Sequence, residues 1–449
     1  MKKTIKLLAV FLAVLLTLSL LLPFTLSAAE PTSQNKANYI LLYCLSTDTM
    51  LFEKNSDFPV DPGYTSQMMT ALLALEYDPD LSKNITLSAD LLASWDFPAD
   101  FRSYLDYGFK KNTSVPVKDL LAVMMLENAT CAAKLLAATI GGSVDNFVTM
   151  MNDRAKELGM ETTVFANPTG ASSSTATTTL SDLFKLVTLL YQNEQYMSLA
   201  SAKSYVLANN GFKIYTRNYL IGTWYTTADQ GYYYANATGM KSDSAFERNN
   251  PLRTSTLIAT SREKDNYDYL CMVMGASGDS AYGIAKDFFK WGSTDFRSLK
   301  VISREKLYKH LPVEGGDRMD QVPIFPEKDL TAYLPSSITL EDVTYQYSLS
   351  KKELSAPLSY GTKVGEIKAI VNDKIVASCN LIVGSHVPQA KESQVYGVVG
   401  SILLSPLVII AILILIGYLI YKYDLHKPVI KALREKIKNQ NKNNQNKKR

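Results

Sequence analysis

The chain is 449 residues long, enough for about two or three domains with sizeable cores. Its composition, 47% hydrophobic and 20% charged, excludes a largely disordered protein. The net charge of +4 conceals a segregation: removing the +3 of Lys2, Lys3 and Lys6 and the +8 of the stretch from Lys422 to Arg449 leaves −7 for everything between. An acidic middle argues against nucleic acid as a partner.

Residues 1–29 read as a secretory signal. Three lysines precede an apolar run from Leu7 to about Leu22, and Ser27-Ala28-Ala29 supplies a small-residue cleavage site. An uncleaved membrane anchor is the alternative, and either reading exports the bulk of the chain. Asn38 to Leu45 is apolar and β-rich, Asp48-Thr49 makes a turn, and Met50-Leu51-Phe52 begins a return strand. The next stretch runs Asp61-Pro62-Gly63-Tyr64-Thr65-Ser66-Gln67-Met68-Met69-Thr70-Ala71-Leu72-Leu73-Ala74-Leu75-Glu76. Its apolar spacing predicts a buried helix carrying Met68, Met69, Leu72, Leu73 and Leu75. Residues 80–117 are polar, aromatic and irregular, which suits loops and short helices.

Lys118 to Ala138 has helical periodicity interrupted near Asn128, where the chain reads Asn128-Ala129-Thr130-Cys131-Ala132-Ala133. Val164-Phe165-Ala166-Asn167-Pro168-Thr169-Gly170 is rich in turn residues. Thr179 with Asp182 forms a capping box for a helix from Leu180 to Gln192. After Tyr232-Tyr233-Tyr234 comes a strand, Ala237-Thr238-Gly239-Met240-Lys241-Ser242-Asp243. Pro251 to Thr260 and Tyr267 to Met274 read as two central strands, followed by a helix at about Gly283 to Trp291.

From residue 297 to 388 helical patterning fades. Short β-rich stretches alternate with Gly, Pro and Asp turns, which predicts a small all-β domain. Residues 389–394 form a polar linker. Val395 to Tyr421 is a run of 27 residues without a charge, long enough to cross a bilayer, with Pro406 as a point of kinking. The basic stretch after it places the tail in the cytoplasm and the bulk outside. The tail suits contact with anionic lipid, and its Lys-Asn-Gln end suits disorder.

Cys44, Cys131, Cys271 and Cys379 are isolated from one another and from histidine. They read as buried small apolar residues rather than a zinc or disulfide framework. Of the three histidines, His310, His386 and His426, none lies in the first domain, so a histidine-based nucleophilic site there is excluded.

The stretch from Asp61 to Glu76 resembles the nucleophile helix of the serine D-alanyl-D-alanine carboxypeptidases, the low-molecular-mass penicillin-binding proteins. In that family it reads roughly Pro-Ala-Ser-x-x-Lys-x-Met-Thr-Ala-Leu-Leu-Ala-Leu-Glu. The resemblance puts the family's serine at Tyr64 and its lysine at Gln67. Ser-x-x-Lys does occur elsewhere, at Ser33, Ser261, Ser303 and Ser348, but at none of these does it open a buried helix after a strand pair. The family's second motif, Ser-x-Asn, falls at Asn128-Ala129-Thr130. Its third, Lys-Thr-Gly, falls at Lys241-Ser242-Asp243 and keeps the lysine and a hydroxyl. Asp243 replaces the glycine that lets a substrate lie close to the strand. Its carboxylate would repel an anionic peptide end or pair with Lys241.

The resemblance covers about residues 38–388. It implies an α+β penicillin-binding/β-lactamase-like domain over residues 30–296, with an antiparallel sheet and a helical cluster. A small β-sandwich stalk over 297–388 follows, then one transmembrane helix. It implies a location on the outer face of a bacterial membrane, peptidoglycan stem peptides as ligands, and no cofactor or metal. The chemistry does not follow so readily. A serine needs a base to become nucleophilic, and Gln67 has no titratable group. The expected function is therefore a non-catalytic family member that binds wall peptide or a partner on the old cleft. An active carboxypeptidase using Ser66 or Tyr64 with Lys241 as base is the alternative. A purely structural role carried by the tail or the β-domain is a third.

Overall fold

The computed structural model describes residues 29–88, 91, 107–222, 231–243, 254–264, 266–390, 406–423 and 426–445. The secretory-signal expectation for residues 1–29 therefore lies almost wholly outside the described residues. By contacts the chain divides into two compact units. One holds the residues up to Val301 together with Thr331–Thr344, and the other holds Ile302–Leu330 and the residues from Tyr345 on.

The first unit is built on a five-stranded antiparallel sheet. Its strands are β1 (Ala37–Cys44), β2 (Thr49–Lys54), β7 (Ala237–Ser242), β8 (Thr254–Arg262) and β9 (Asp268–Ser277), in the order β2-β1-β9-β8-β7. The pairs β3 (Asn84–Thr86) with β4 (Ser114–Pro116), and β5 (Ser204–Val206) with β6 (Lys213–Tyr215), stand apart from it. Side chains alternate between the faces of a strand. Leu41, Ile258, Leu270, Met272 and Met274 thus enter one core with the helical cluster. Ile40, Leu42, Leu257, Cys271 and Val273 enter a second core against α7 (Ser280–Thr294), which supplies Ile284, Phe288 and Phe289. Burial on both faces explains the near-continuous apolar runs of the central strands.

The cluster comprises α1 (Ser66–Tyr77), α2 (Val117–Glu127), α3 (Thr130–Gly141), α4 (Val144–Glu157), α5 (Leu180–Tyr191) and α6 (Glu194–Ala200). Every residue of α1 from Ser66 to Leu75 is buried, so it is a core helix rather than an amphipathic one. The break expected near Asn128 is real: Asn128 caps α2 in the left-handed conformation, φ 58° and ψ 30°. Asparagine tolerates that conformation better than most residues.

Half of the expected capping box on α5 forms. Thr179 Oγ1 accepts from the Asp182 amide at 3.1 Å, while the Asp182 carboxylate turns away to Thr162 N at 2.8 Å and Thr163 Oγ1 at 3.0 Å. Helix α4 is an addition to the expected elements. Ser143 caps it, and Phe147, Met151 and Ala155 line its buried face at a spacing that carried the signal.

The all-β character expected after residue 297 is found. β10 (Phe296–Ile302) pairs with β13 (Leu330–Pro335), and on that segment Tyr333 Oη meets Tyr269 Oη at 2.5 Å and donates to Gly292 O at 3.0 Å. In the second unit, β11 (Lys309–Glu314), β12 (Gln321–Pro326), β14 (Thr344–Leu349), β15 (Leu354–Ser355), β16 (Lys363–Val371) and β17 (Lys374–Val383) form a six-stranded sheet in the order β14-β16-β17-β12-β11-β15. Leu311, Val313, Val322, Ile324, Ile367, Ala369, Leu381 and Val383 are among its buried side chains. All four cysteines are buried, as their isolation suggested.

At the C-terminus the description resumes at Pro406, the first described residue of the helix α8 (Pro406–Lys422), so the kink expected at Pro406 falls at the edge of the described residues. The 17 described residues of α8 span about 26 Å. Among the described residues no single helix is long and apolar enough to cross a membrane, though α8 and the next helix pass together as a bent pair. The first part of the 27-residue run, 395–405, lies outside the described residues. The tail is helical as α9 (His426–Gln445), and its last residues, 446–449, where disorder is expected, lie outside the described residues.

Candidate active site

The site begins where the chain enters α1. Asp61 Oδ1 accepts from Gly63 N at 2.9 Å, and Thr65 Oγ1 donates to Pro62 O at 2.5 Å. These bonds fix a short 3-10 turn, Gly63–Thr65, ahead of α1. Tyr64 sits in that turn, half-buried, and Gln67 lies in the first turn of α1 with 1% of its surface exposed.

A second wall comes from the turn after Phe165. Asn167 Oδ1 gathers Thr169 N at 3.1 Å, Gly170 N at 2.9 Å and Ala171 N at 3.1 Å. This knot aims two carbonyls at α1. Thr169 O accepts from Gln67 Nε2 at 2.9 Å, and Pro168 O accepts from Thr70 Oγ1 at 2.9 Å. Gly170 has φ +82°, and a Cβ there would lie 2.6 Å from both Gly63 O and Tyr64 Cα. Only glycine permits so close an approach.

The third wall is β7. Lys241 is 3% exposed, and its amine reaches across to the helices. It donates to Gln67 Oε1 at 2.8 Å and to Met124 O at 3.0 Å, with Met125 O at 3.5 Å, and it makes a short bond to Asn128 Oδ1. Gln67 Nε2 also donates to Asn128 O at 3.3 Å. Gln67, Asn128 and Lys241, named from the sequence, are thus brought into one buried network. The carbonyls of Met124 and Thr169 join it without any side-chain signal in the sequence. Asn128 Nδ2 is buried with no hydrogen-bond partner, a cost that a network this dense tolerates.

Thr130 and Asp243 make no hydrogen bond to the Lys241 amine. Thr130 is the first residue of α3 and half-buried, so of the pair only Asn128 reaches Lys241. Asp243 does not take the Lys241 ammonium as a hydrogen-bonded partner, because the helix carbonyls and Gln67 already do. Its backbone N donates to Thr256 O and its Oδ2 accepts from Thr256 N, both at 3.0 Å, which extends the β7–β8 ladder by a side chain. Ser242 is 5% exposed.

Burial lowers the Lys241 amine from 10.5 to about 7, while the Asp243 charge acts in the opposite sense. The oxygen acceptors around Nζ also favour the ammonium form. Gln67 offers this amine an amide oxygen, which has no proton to exchange and cannot act as general base.

The sequence model of the D-alanyl-D-alanine carboxypeptidase family matches residues 25–277. That span is more than half of the chain. The chain belongs to this family. A second family model, the penicillin-binding protein 5 C-terminal domain, matches residues 296–389. Among curated proteins, the D-alanyl-D-alanine carboxypeptidase DacD of Escherichia coli is 28% identical over 363 residues, 79% of this chain and 87% of that one. DacA of Haemophilus influenzae is 25% identical over 363 residues, 80% and 86%. Among solved structures, penicillin binding protein 5 from Haemophilus influenzae superposes with a TM-score of 0.57 at 24% identity, covering 81% of this chain and 100% of that one. At that identity the likeness speaks for the fold.

Proposed function

We propose that this chain is a non-catalytic member of its family, held at a bacterial membrane, that binds peptidoglycan stem peptide or a protein partner through the former active-site cleft. One observation carries the reading: the lysine amine of β7 is engaged by the amide of Gln67, at the position where the resemblance puts the family's catalytic lysine. Tyr64 stands where the resemblance puts the nucleophile. The constellation that joins a nucleophile to a base is replaced by a closed set of hydrogen bonds. The apolar N-terminal stretch, the charge-free run 395–421 and the basic tail support export with a single C-terminal span and a cytoplasmic tail.

The alternative, an active carboxypeptidase with substituted residues, is favoured by the near-neutral Lys241 amine, which suits a general base. Covalent labelling of the full chain with a fluorescent penicillin separates the two, because a penicillin needs only an activated nucleophile. No label on the folded protein is expected. A stable label overturns the non-catalytic reading, and mapping it onto Tyr64 or Ser66 identifies the substitute. Calorimetric titration with a peptide ending in D-Ala-D-Ala then tests the ligand: heat of binding abolished by Lys241→Met supports the cleft, and its absence moves the function to a protein partner.

A further inference from the structure

The edge of the six-stranded sheet carries a row of rings that core packing does not require. β14 is the last strand at that edge. Thr344, Gln346, Tyr347 and Ser348 are exposed, so exposed residues fall on both faces of the strand. Tyr345 and Tyr347, two residues apart, share a face. Tyr308, which leads into β11, stacks on Tyr347 with ring centroids 3.8 Å apart and planes at 19°. Tyr345 continues the row, 6.3 Å from Tyr347 at 25°. Lys306 closes it, with its ammonium 5.1 Å from the Tyr345 centroid. Tyr347 keeps 37% of its surface exposed, and Leu307, beside Tyr308 in the chain, keeps 44%. Valine or threonine would build an exposed edge strand as well. Tyrosines gathered at the surface are the mark of an interface, because each joins a large apolar body to a polar tip.

We propose that this tyrosine row, with Lys306, is a docking surface for the glycan strands of peptidoglycan. The sugars pack against the rings, and their carboxylates meet the lysines. Chemistry selects the occupant. A pyranose offers a flat C–H face with a rim of hydroxyls, which matches the apolar body and polar tip of tyrosine. The strand also carries a lactyl carboxylate on alternate sugars, and the surface complements it. Residues 302–310 and 345–353, which hold the row, carry five exposed cations, Lys306 among them, against the exposed anions Glu305 and Glu353. That excess attracts an anionic polymer over a neutral one. An acidic peptide would answer the charge but has no repeat of flat faces for the rings. The proposal rests on the reading that the chain faces the wall. It does not depend on what the former active-site cleft binds, since no residue of that cleft belongs to the row.

The test titrates the full chain in detergent solution with glycan strands stripped of their stem peptides by an amidase, so that the cleft has no peptide to bind. Binding is expected, and Tyr347→Ala should weaken it by about tenfold. Tyr347→Phe keeps the ring and should recover most of that loss. Lys306→Gln, or about 0.5 M salt, should weaken binding by about threefold. A neutral N-acetylglucosamine oligomer of matched length should bind more weakly by about the same factor. Tyr360→Ala changes a tyrosine of the same unit that is 62% exposed and lies outside the row, and should leave the titration as it is. No binding of the stripped glycan, or binding that a folded Tyr347→Ala chain keeps in full, overturns the proposal. Tighter binding of a polyol-phosphate polymer, or of an acidic peptide, than of the glycan overturns it as well and gives the row to that ligand.

Discussion

Two halves of one element behave differently. From Met68 to Leu75, α1 keeps the family's apolar letters and is buried throughout. From Tyr64 to Gln67, one turn earlier, the chain is buried except at the half-buried Tyr64, yet the letters have changed. The difference lies in what each half must satisfy. Core positions are held to shape and volume, and a misfit costs kilocalories. The first turn is held only to the rule that buried polar groups find partners. A serine–lysine pair meets that rule, and so does a glutamine between Thr169 O, Asn128 O and the Lys241 amine. On the proposed reading, packing preserves the fold of a site without preserving its chemistry.

The sharpest way to break this comparison is to restore the turn. On the proposed reading, Tyr64→Ser with Gln67→Lys raises penicillin acylation by about a thousandfold or more over the parent chain. A folded double variant that stays unlabelled would show that the loss extends beyond the turn, into the Asn128 or Asp243 region.

Removing the lysine tests the hydrogen-bonded set as structure. Lys241→Met strips Gln67 Oε1, Met124 O and Asn128 Oδ1 of their donor. It should lower stability by about 3 kcal/mol in urea unfolding. The pH dependence follows from burial. The folded-state pKa of Lys241 is lowered to about 7 from 10.5. Between those values the unfolded chain holds the proton more firmly than the folded one. Stability therefore rises with pH across that window. The gap between the parent and Lys241→Met should widen from about pH 7 towards pH 10. A gap that stays flat from pH 7 to 10 would mean that the surrounding oxygens hold the ammonium firmly.

Gly170→Ala is a smaller perturbation of the same wall. It places a Cβ against Gly63 O and Tyr64 Cα at a positive φ, and should cost about 2 kcal/mol. A neutral result would show that the turn and α1 are free to separate. Thr179→Ala removes one cap bond from α5 and should cost about 1 kcal/mol, read as a shift in thermal midpoint.

Much of the architecture was legible in the residues. The apolar spacing in α1, the break at Asn128 and the strand runs of β8 and β9 all rest on short-range periodicity, and each appears where the pattern put it. Helix α4 was missed although Ser143 and the Phe147, Met151, Ala155 spacing announced it. At the site, Thr130 and Asn128 carry equivalent hydrogen-bonding groups, and nothing local says which one turns inward. The left-handed cap at Asn128 decides it by directing the residue into the core.

The residues alone established the order of the motifs, their departures from the family's letters and the charge segregation, since those are properties of a string. The tertiary structure decided the partners. Gln67 and Lys241 lie 174 positions apart, and Met124 and Thr169 contribute only backbone carbonyls, which every residue possesses. Inside a protein a buried donor takes whichever acceptors the packed helices and strands present to it. That choice is made by geometry after the core has formed, so it leaves no mark in any local pattern.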